Sequence, residues 1–158
     1  MISSRRKARE LAMQTLFYLD TGAVKPESAM AMFCQNFNPS PKFLPFYQTL
    51  VEGVILKKAE IDVLIERFSS NWKISRMSGV DRNVLRVAVF EMLFCDDIPP
   101  KVSINEAIDV GKKYGTEESG AFINGILDSI HLALKKQTTD GTAAERSEAA
   151  PSLKQDTP

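Results

Sequence analysis

The stretch Val80-Asp81-Arg82-Asn83-Val84-Leu85-Arg86-Val87-Ala88-Val89-Phe90-Glu91-Met92-Leu93-Phe94-Cys95-Asp96 decides the fold class. Its apolar residues spread around most of a helical circumference instead of lining one stripe. A helix of that kind belongs at the centre of a helical assembly, because each of its sides needs an apolar neighbour. Working outward, the apolar period stays helical almost everywhere. Upstream, Ala8, Leu11, Ala12, Thr15, Leu16 and Leu19 mark one face of a first helix that ends before Thr21-Gly22. Pro26 suits the first position of a second helix through Ala29, Met30, Phe33 and Cys34. Asn38-Pro39-Ser40-Pro41 reads as a loop. A third helical stretch carries Tyr47, Leu50, Val51, Val54 and Ile55, and a fourth Ile61, Leu64, Ile65 and Phe68.

Downstream, Pro99-Pro100 stops the central helix. Ser103-Ile104-Asn105-Glu106 reads as a capping box that opens the next one. Gly115 suits the position after that helix, and Thr116 an N-cap with Glu117 and Glu118 in the favourable first turn. Ile123, Ile126, Leu127, Ile130 and Leu134 mark the last helix. The pattern predicts about seven helices and no strand, an all-α protein. From Thr138 to Pro158 the chain is rich in Thr, Ala, Ser, Glu and Pro, with Leu153 its one large apolar residue. That composition predicts a disordered tail. The tail has four acids against two bases, which leaves residues 1–137 slightly basic.

Composition excludes several classes. The chain has 158 residues, room for one domain of ordinary size. Its 20 Lys+Arg balance 20 Asp+Glu, so a nucleic-acid reading must rest on where the charge sits. Cys34 and Cys95 are too few and too far apart for a disulfide scaffold or a Cys-rich zinc module. His131 is the single histidine, which disfavours a His-rich metal site. No apolar run approaches the roughly 20 residues that span a bilayer, and no apolar segment follows the basic N-terminus. The expectation is a cytoplasmic protein. No phosphate loop, GxSxG or HExxH occurs, so no catalytic residue, metal ligand or cofactor is expected.

The basic cluster Arg5, Arg6, Lys7 and Arg9 starts the first helix with no acid before Glu10. Positive charge at a helix N-terminus opposes the macrodipole, so local stability does not call for it. At about 100° per residue, Arg6, Arg9, Met13 and Phe17 share a flank beside the apolar face. Arginine forks grip phosphates, and an exposed ring gives a base a surface to stack on. Two readings stay open on this evidence: a single-stranded RNA or polyanion grip, and a plain charged helix start.

Five segments, in order and spacing, resemble the NusB family of transcription antitermination factors. They are Arg5–Glu10, Asn71-Trp72 followed by Arg76, Val80–Arg86, Val102–Ala107 and Phe122–Asp128. The likeness covers residues 4 to about 134. It implies two perpendicular three-helix bundles, about 1–72 and 73–137. It also implies a non-enzymatic protein that binds boxA-type sequence in ribosomal RNA leader transcripts. Ribosomal protein NusE would bind with it, and other Nus factors and RNA polymerase would complete an antitermination complex. Matched residue by residue, the RNA contacts implied are Arg5, Arg6, Lys7, Arg9, Phe17 and Phe122, with Glu118 tempering affinity. For NusE the matched candidates are Asp81, Arg82, Arg86 and Glu106, against an internal ion-pairing role for the same residues. Asn124 and Gly125 are expected to serve helix packing, and Gly111 stands where alanine is usual. The rival expectations are a protein-interaction module, or a homodimer with incidental RNA binding.

Overall fold

The computed structural model describes residues 4–70 and 72–148; residues 1–3, Asn71 and residues 149–158 lie outside the described part. Six α-helices follow in order: α1 Ser4–Leu19, α2 Pro26–Phe37, α3 Leu44–Phe68, α4 Gly79–Phe94, α5 Pro100–Tyr114 and α6 Ser119–Glu148. A 3-10 turn, Ile74–Arg76, precedes α4. No strand occurs among the described residues, so the protein is all-α. No helix among them is long and apolar enough to cross a membrane.

The central helix lies where its composition requires. α4 buries nine consecutive residues, Asn83 to Glu91, and packs against α1, α3, α5 and α6. Ser78 caps it, its Oγ accepting from the Asp81 N–H at 3.1 Å. α1 lies antiparallel to α4: Arg9 meets Glu91 at one end and Asp20 meets Arg82 and Asn83 at the other. Gly53 on α3 lets the Phe90 ring lie against its backbone, since a Cβ there would stand 2.2 Å from Phe90 Cζ.

Five local expectations change. The third and fourth stretches are one helix, α3, because Leu56 to Glu60 between them are helix formers without a breaker. The capping box does not form. Pro100 starts α5 at its first turn, a position where a missing N–H costs nothing, so Ser103 is already interior. Its buried hydroxyl instead donates to Glu91 Oε1 at 3.2 Å. Thr116 caps a turn, accepting from the Glu118 N–H at 3.3 Å, and α6 starts only at Ser119. Asn124 and Gly125 serve no packing: both are exposed, and nothing lies within 4 Å of a Cβ built on Gly125. Gly111 takes that role, because a Cβ there would lie 2.4 Å from Ile123 Cδ1. Past Thr138, α6 continues to Glu148 through Ala143, Ala144, Glu145 and Arg146, all strong helix formers. The rest of the segment read as a disordered tail lies outside the described residues.

Candidate nucleic-acid interface

Helix α1 carries the basic cluster, and α5 runs parallel beside it. The seam between them is a ladder of charges. Arg6 Nε donates to Glu106 Oε2 at 2.7 Å and Arg6 Nη2 to Asp109 Oδ2 at 2.6 Å. One turn on, Glu10 accepts from Lys113 Nζ at 2.9 Å and from the Tyr114 hydroxyl at 3.3 Å. The Glu106 hydrogen bond is the main reason the Arg6 guanidinium holds its proton more tightly than usual. Arg5 reaches Asp97 at 3.0 Å across the surface, which holds the Asp97 carboxyl below its ordinary range. These acids offset the charge that the macrodipole argument found unfavourable. Lys7 makes no ion pair with a described residue and is exposed.

Arg9 is placed differently from the other three. It is 5% exposed and forms a bidentate pair with buried Glu91, with N···O distances of 2.7 and 3.0 Å. Its guanidinium lies 5.4 Å from the Phe46 ring centre, and Arg5 lies 4.9 Å from the same ring. The helical wheel put Arg9 on an open flank, but Glu91 of α4 and Phe46 of α3 cover it. It joins the outward group only if those contacts open.

Phe17, one stripe along from Arg6, is 46% exposed. Its ring leans on the backbone of Gly79, where a Cβ would come within 2.4 Å of Phe17 Cε2. It lines an apolar groove of about 330 Å³ with Met13, Tyr18, Phe33, Phe37 and Tyr114. Tyr114 brings the end of α5 beside α1, and exposed Glu118 follows four residues later. Phe122, half-buried on the first turn of α6, meets the Trp72 ring edge-on at 6.4 Å.

The partner candidates turn inward. Arg86 is buried and donates to Asp62 at 2.8 and 2.9 Å and to Asp20 at 3.0 Å. Arg82 bonds Asp20 at 2.9 Å and the Ile74 carbonyl at 3.3 Å. Burial pushes the Asp20 carboxyl up, but the Asn83 amide and then Arg86 and Arg82 outweigh it and hold it below its usual value. Glu106 is committed to Arg6. Asp81 is half-buried and its Oδ1 has no hydrogen-bond partner among the described residues. The internal ion-pairing role therefore describes Arg82 and Arg86, which lock α1, α3 and α4 together. The sequence did not reveal the acids Asp97 and Asp109 that answer Arg5 and Arg6, nor the ring of Phe37. Such pairings join residues about 100 positions apart and leave no periodic trace. No group of three or more His, Cys, Asp or Glu able to hold a metal occurs among the described residues.

A family model described as the NusB family matches residues 6–132. A transcription antitermination protein NusB from Desulfatibacillum aliphaticivorans is 57% identical over 136 residues, covering 86% of this chain and 95% of that protein. The NusB of Myxococcus xanthus is 48% identical over 139 residues, covering 85% and 99%. Among solved structures, T. maritima NusB superimposes with a TM-score of 0.75 at 38% identity, covering 82% of this chain and 92% of that one. A structure described as antitermination factors NusB and NusE in complex with double-stranded RNA gives 0.76 at 29% identity, covering 84% and 99%.

Proposed function

The chain belongs to the NusB family, and on that premise we propose that it is a non-enzymatic, cytoplasmic antitermination factor that binds RNA together with NusE. The RNA is single-stranded boxA-type sequence of ribosomal RNA leaders, and the pair recruits other Nus factors to RNA polymerase. The observation that carries this reading is the outward stripe of α1. There the half-exposed Arg6 and the open ring of Phe17 lie about 20° apart on the helix, flanked by Arg5 and Lys7. Phosphates displace Asp97, Glu106 and Asp109 from the arginines, and an unstacked base lies on Phe17. Glu118 and Phe122 extend the same contact onto α6. Asp81, with its unsatisfied carboxylate oxygen, is the candidate left for NusE.

Exchanging a protein carboxylate for a phosphate leaves the number of charge-assisted bonds unchanged. Affinity for RNA alone is therefore modest, and NusE raises it by adding contact along the same strand. The apolar groove beside Phe17 favours a second reading, a surface for a protein partner or a second copy of the chain. Phe17 would then be covered by that partner and RNA binding would be incidental.

The deciding experiment titrates labelled boxA-type RNA and a scrambled control, with and without NusE, over a salt series. Unlabelled single-stranded and duplex RNA serve as competitors. With about three phosphates neutralised, log K falls against log salt with a slope near −2. A preference for boxA, increased by NusE, is the expected result. Equal weak binding of both RNAs, unchanged by NusE, would overturn the reading, and a dimer mass unaffected by RNA would favour the second one.

A further inference from the structure

The short segment between α3 and α4 has no task in what precedes. It is tightly built. The Ser69 hydroxyl sits between the Glu66 and Trp72 carbonyls at 3.1 and 2.8 Å, and the Trp72 N–H returns to the Ser69 carbonyl at 3.0 Å. Ser70 is held at a φ of 54°, which non-glycine residues rarely adopt. The turn therefore fixes where Trp72 emerges, yet the indole is 55% exposed. Its ring neighbour is Phe122, and its N–H donates to no described residue. A tryptophan left that open forgoes the large burial that usually explains the residue.

Lys73 precedes the 3-10 turn and Arg76 closes it, and the Arg76 N–H donates to the Lys73 carbonyl at 2.9 Å. Lys73, at the head of the turn, and Arg76, at its end, are both exposed and lie within four residues of Trp72. Lys73, Arg76 and Arg67 at the end of α3 form no ion pair with a described residue. This reverses the situation on α1, where Arg5, Arg6 and Arg9 are all answered by carboxylates.

We propose that Trp72 and Phe122 form a stacking shelf for an unpaired base of single-stranded RNA, with Lys73 and Arg76 binding the adjoining phosphates. This rests on the RNA reading above and extends its contact at Phe122 onto the turn before α4. Ring faces accept any base, and the cations lack the negative charge that a polyanion brings. Phosphates here displace no protein carboxylate, so this corner grips RNA without the exchange that weakens the α1 stripe.

Trp72 is the single tryptophan of the chain, so its emission reports on this corner alone. The experiment titrates the full chain with unlabelled boxA-type single-stranded RNA while indole emission is read. Anisotropy of labelled RNA is measured in parallel, and thermal melts check that each variant is folded. RNA quenches the emission. Trp72→Leu weakens binding about tenfold and Trp72→Phe much less. Lys73→Ala with Arg76→Ala flattens the salt slope by about 1.4. If RNA binds by anisotropy while emission stays flat and Trp72→Leu binds like the parent chain, the shelf is wrong and the RNA reading stands. If emission responds to NusE or to polyglutamate but not to RNA, the occupant is a protein and the shelf is again wrong. If no RNA binds at low salt, both fall together.

Discussion

Replacing Arg9 by alanine separates a structural arginine from an RNA-gripping one. The guanidinium makes three N–H···O contacts of 2.7–3.0 Å to Glu91, inside the junction of α1 and α4. Arg9→Ala leaves the Glu91 carboxylate buried, with the Ser103 hydroxyl at 3.2 Å as its remaining donor. Removing one partner of a buried ion pair costs about 3–5 kcal/mol. At roughly 4 °C per kcal/mol for a domain of this size, Tm falls by about 12–20 °C. Replacing both ends, Arg9→Met with Glu91→Met, removes the orphaned charge and returns the protein to within about 2 kcal/mol of the parent. Urea melts measure the stabilities and RNA anisotropy the binding. The double variant keeps the parent affinity, whereas Arg6→Ala weakens it. An Arg9→Ala protein as stable as the parent would refute the energetic reasoning. A stable double variant that binds RNA as poorly as Arg6→Ala would show that Arg9 leaves Glu91 to hold phosphate.

Four other outcomes are expected. Burial pushes the Tyr47 hydroxyl up to about 12 despite its 2.7 Å hydrogen bond to Thr15. The unfolded chain then ionises first, so stability is complete below pH 10 and falls by up to about 2.7 kcal/mol toward pH 12. Tyr47→Phe flattens that alkaline fall in denaturant melts, at the cost of about 1 kcal/mol near neutrality. Gly125→Ala, pointing into open space within a helix, stabilises by roughly 0.5–1 kcal/mol. Gly53→Ala drives a methyl into the Phe90 ring and lowers Tm instead. Glu118→Asn removes a carboxylate from the proposed RNA face and tightens binding severalfold in the same anisotropy assay; unchanged affinity would place Glu118 away from the strand.

The parts legible in the sequence are those written in local periodicity. The all-round apolar Val80–Asp96 stretch identified the central helix, Pro26 marked a helix start, and Pro99-Pro100 marked the end of the central helix but was not read as the start of the next. Local signals misled where a long-range partner outweighed them. Ser103 looked like a cap because Glu106 stands three residues on, but its hydroxyl serves Glu91 and Glu106 serves Arg6. Arg9 looked open because a wheel shows angle and not cover; α4 and α3 supply the cover. Gly125 sat in an ordered motif and suggested a close approach, which the structure places at Gly111 instead. Phe17 was placed correctly as an exposed ring at the edge of the apolar face, because one helix alone fixes that relation.

On the proposed reading, RNA lies along the outer stripe of α1 and continues onto the start of α6. Backbone amide shifts of the full isotope-labelled chain, recorded with and without boxA-type single-stranded RNA, test it most directly. Shifts concentrated at Arg5–Lys7, Phe17 and Glu118–Phe122, fading as salt rises, are the expected result. Shifts confined to the outer face of α3 around exposed Leu56, or none at saturating RNA, would overturn it.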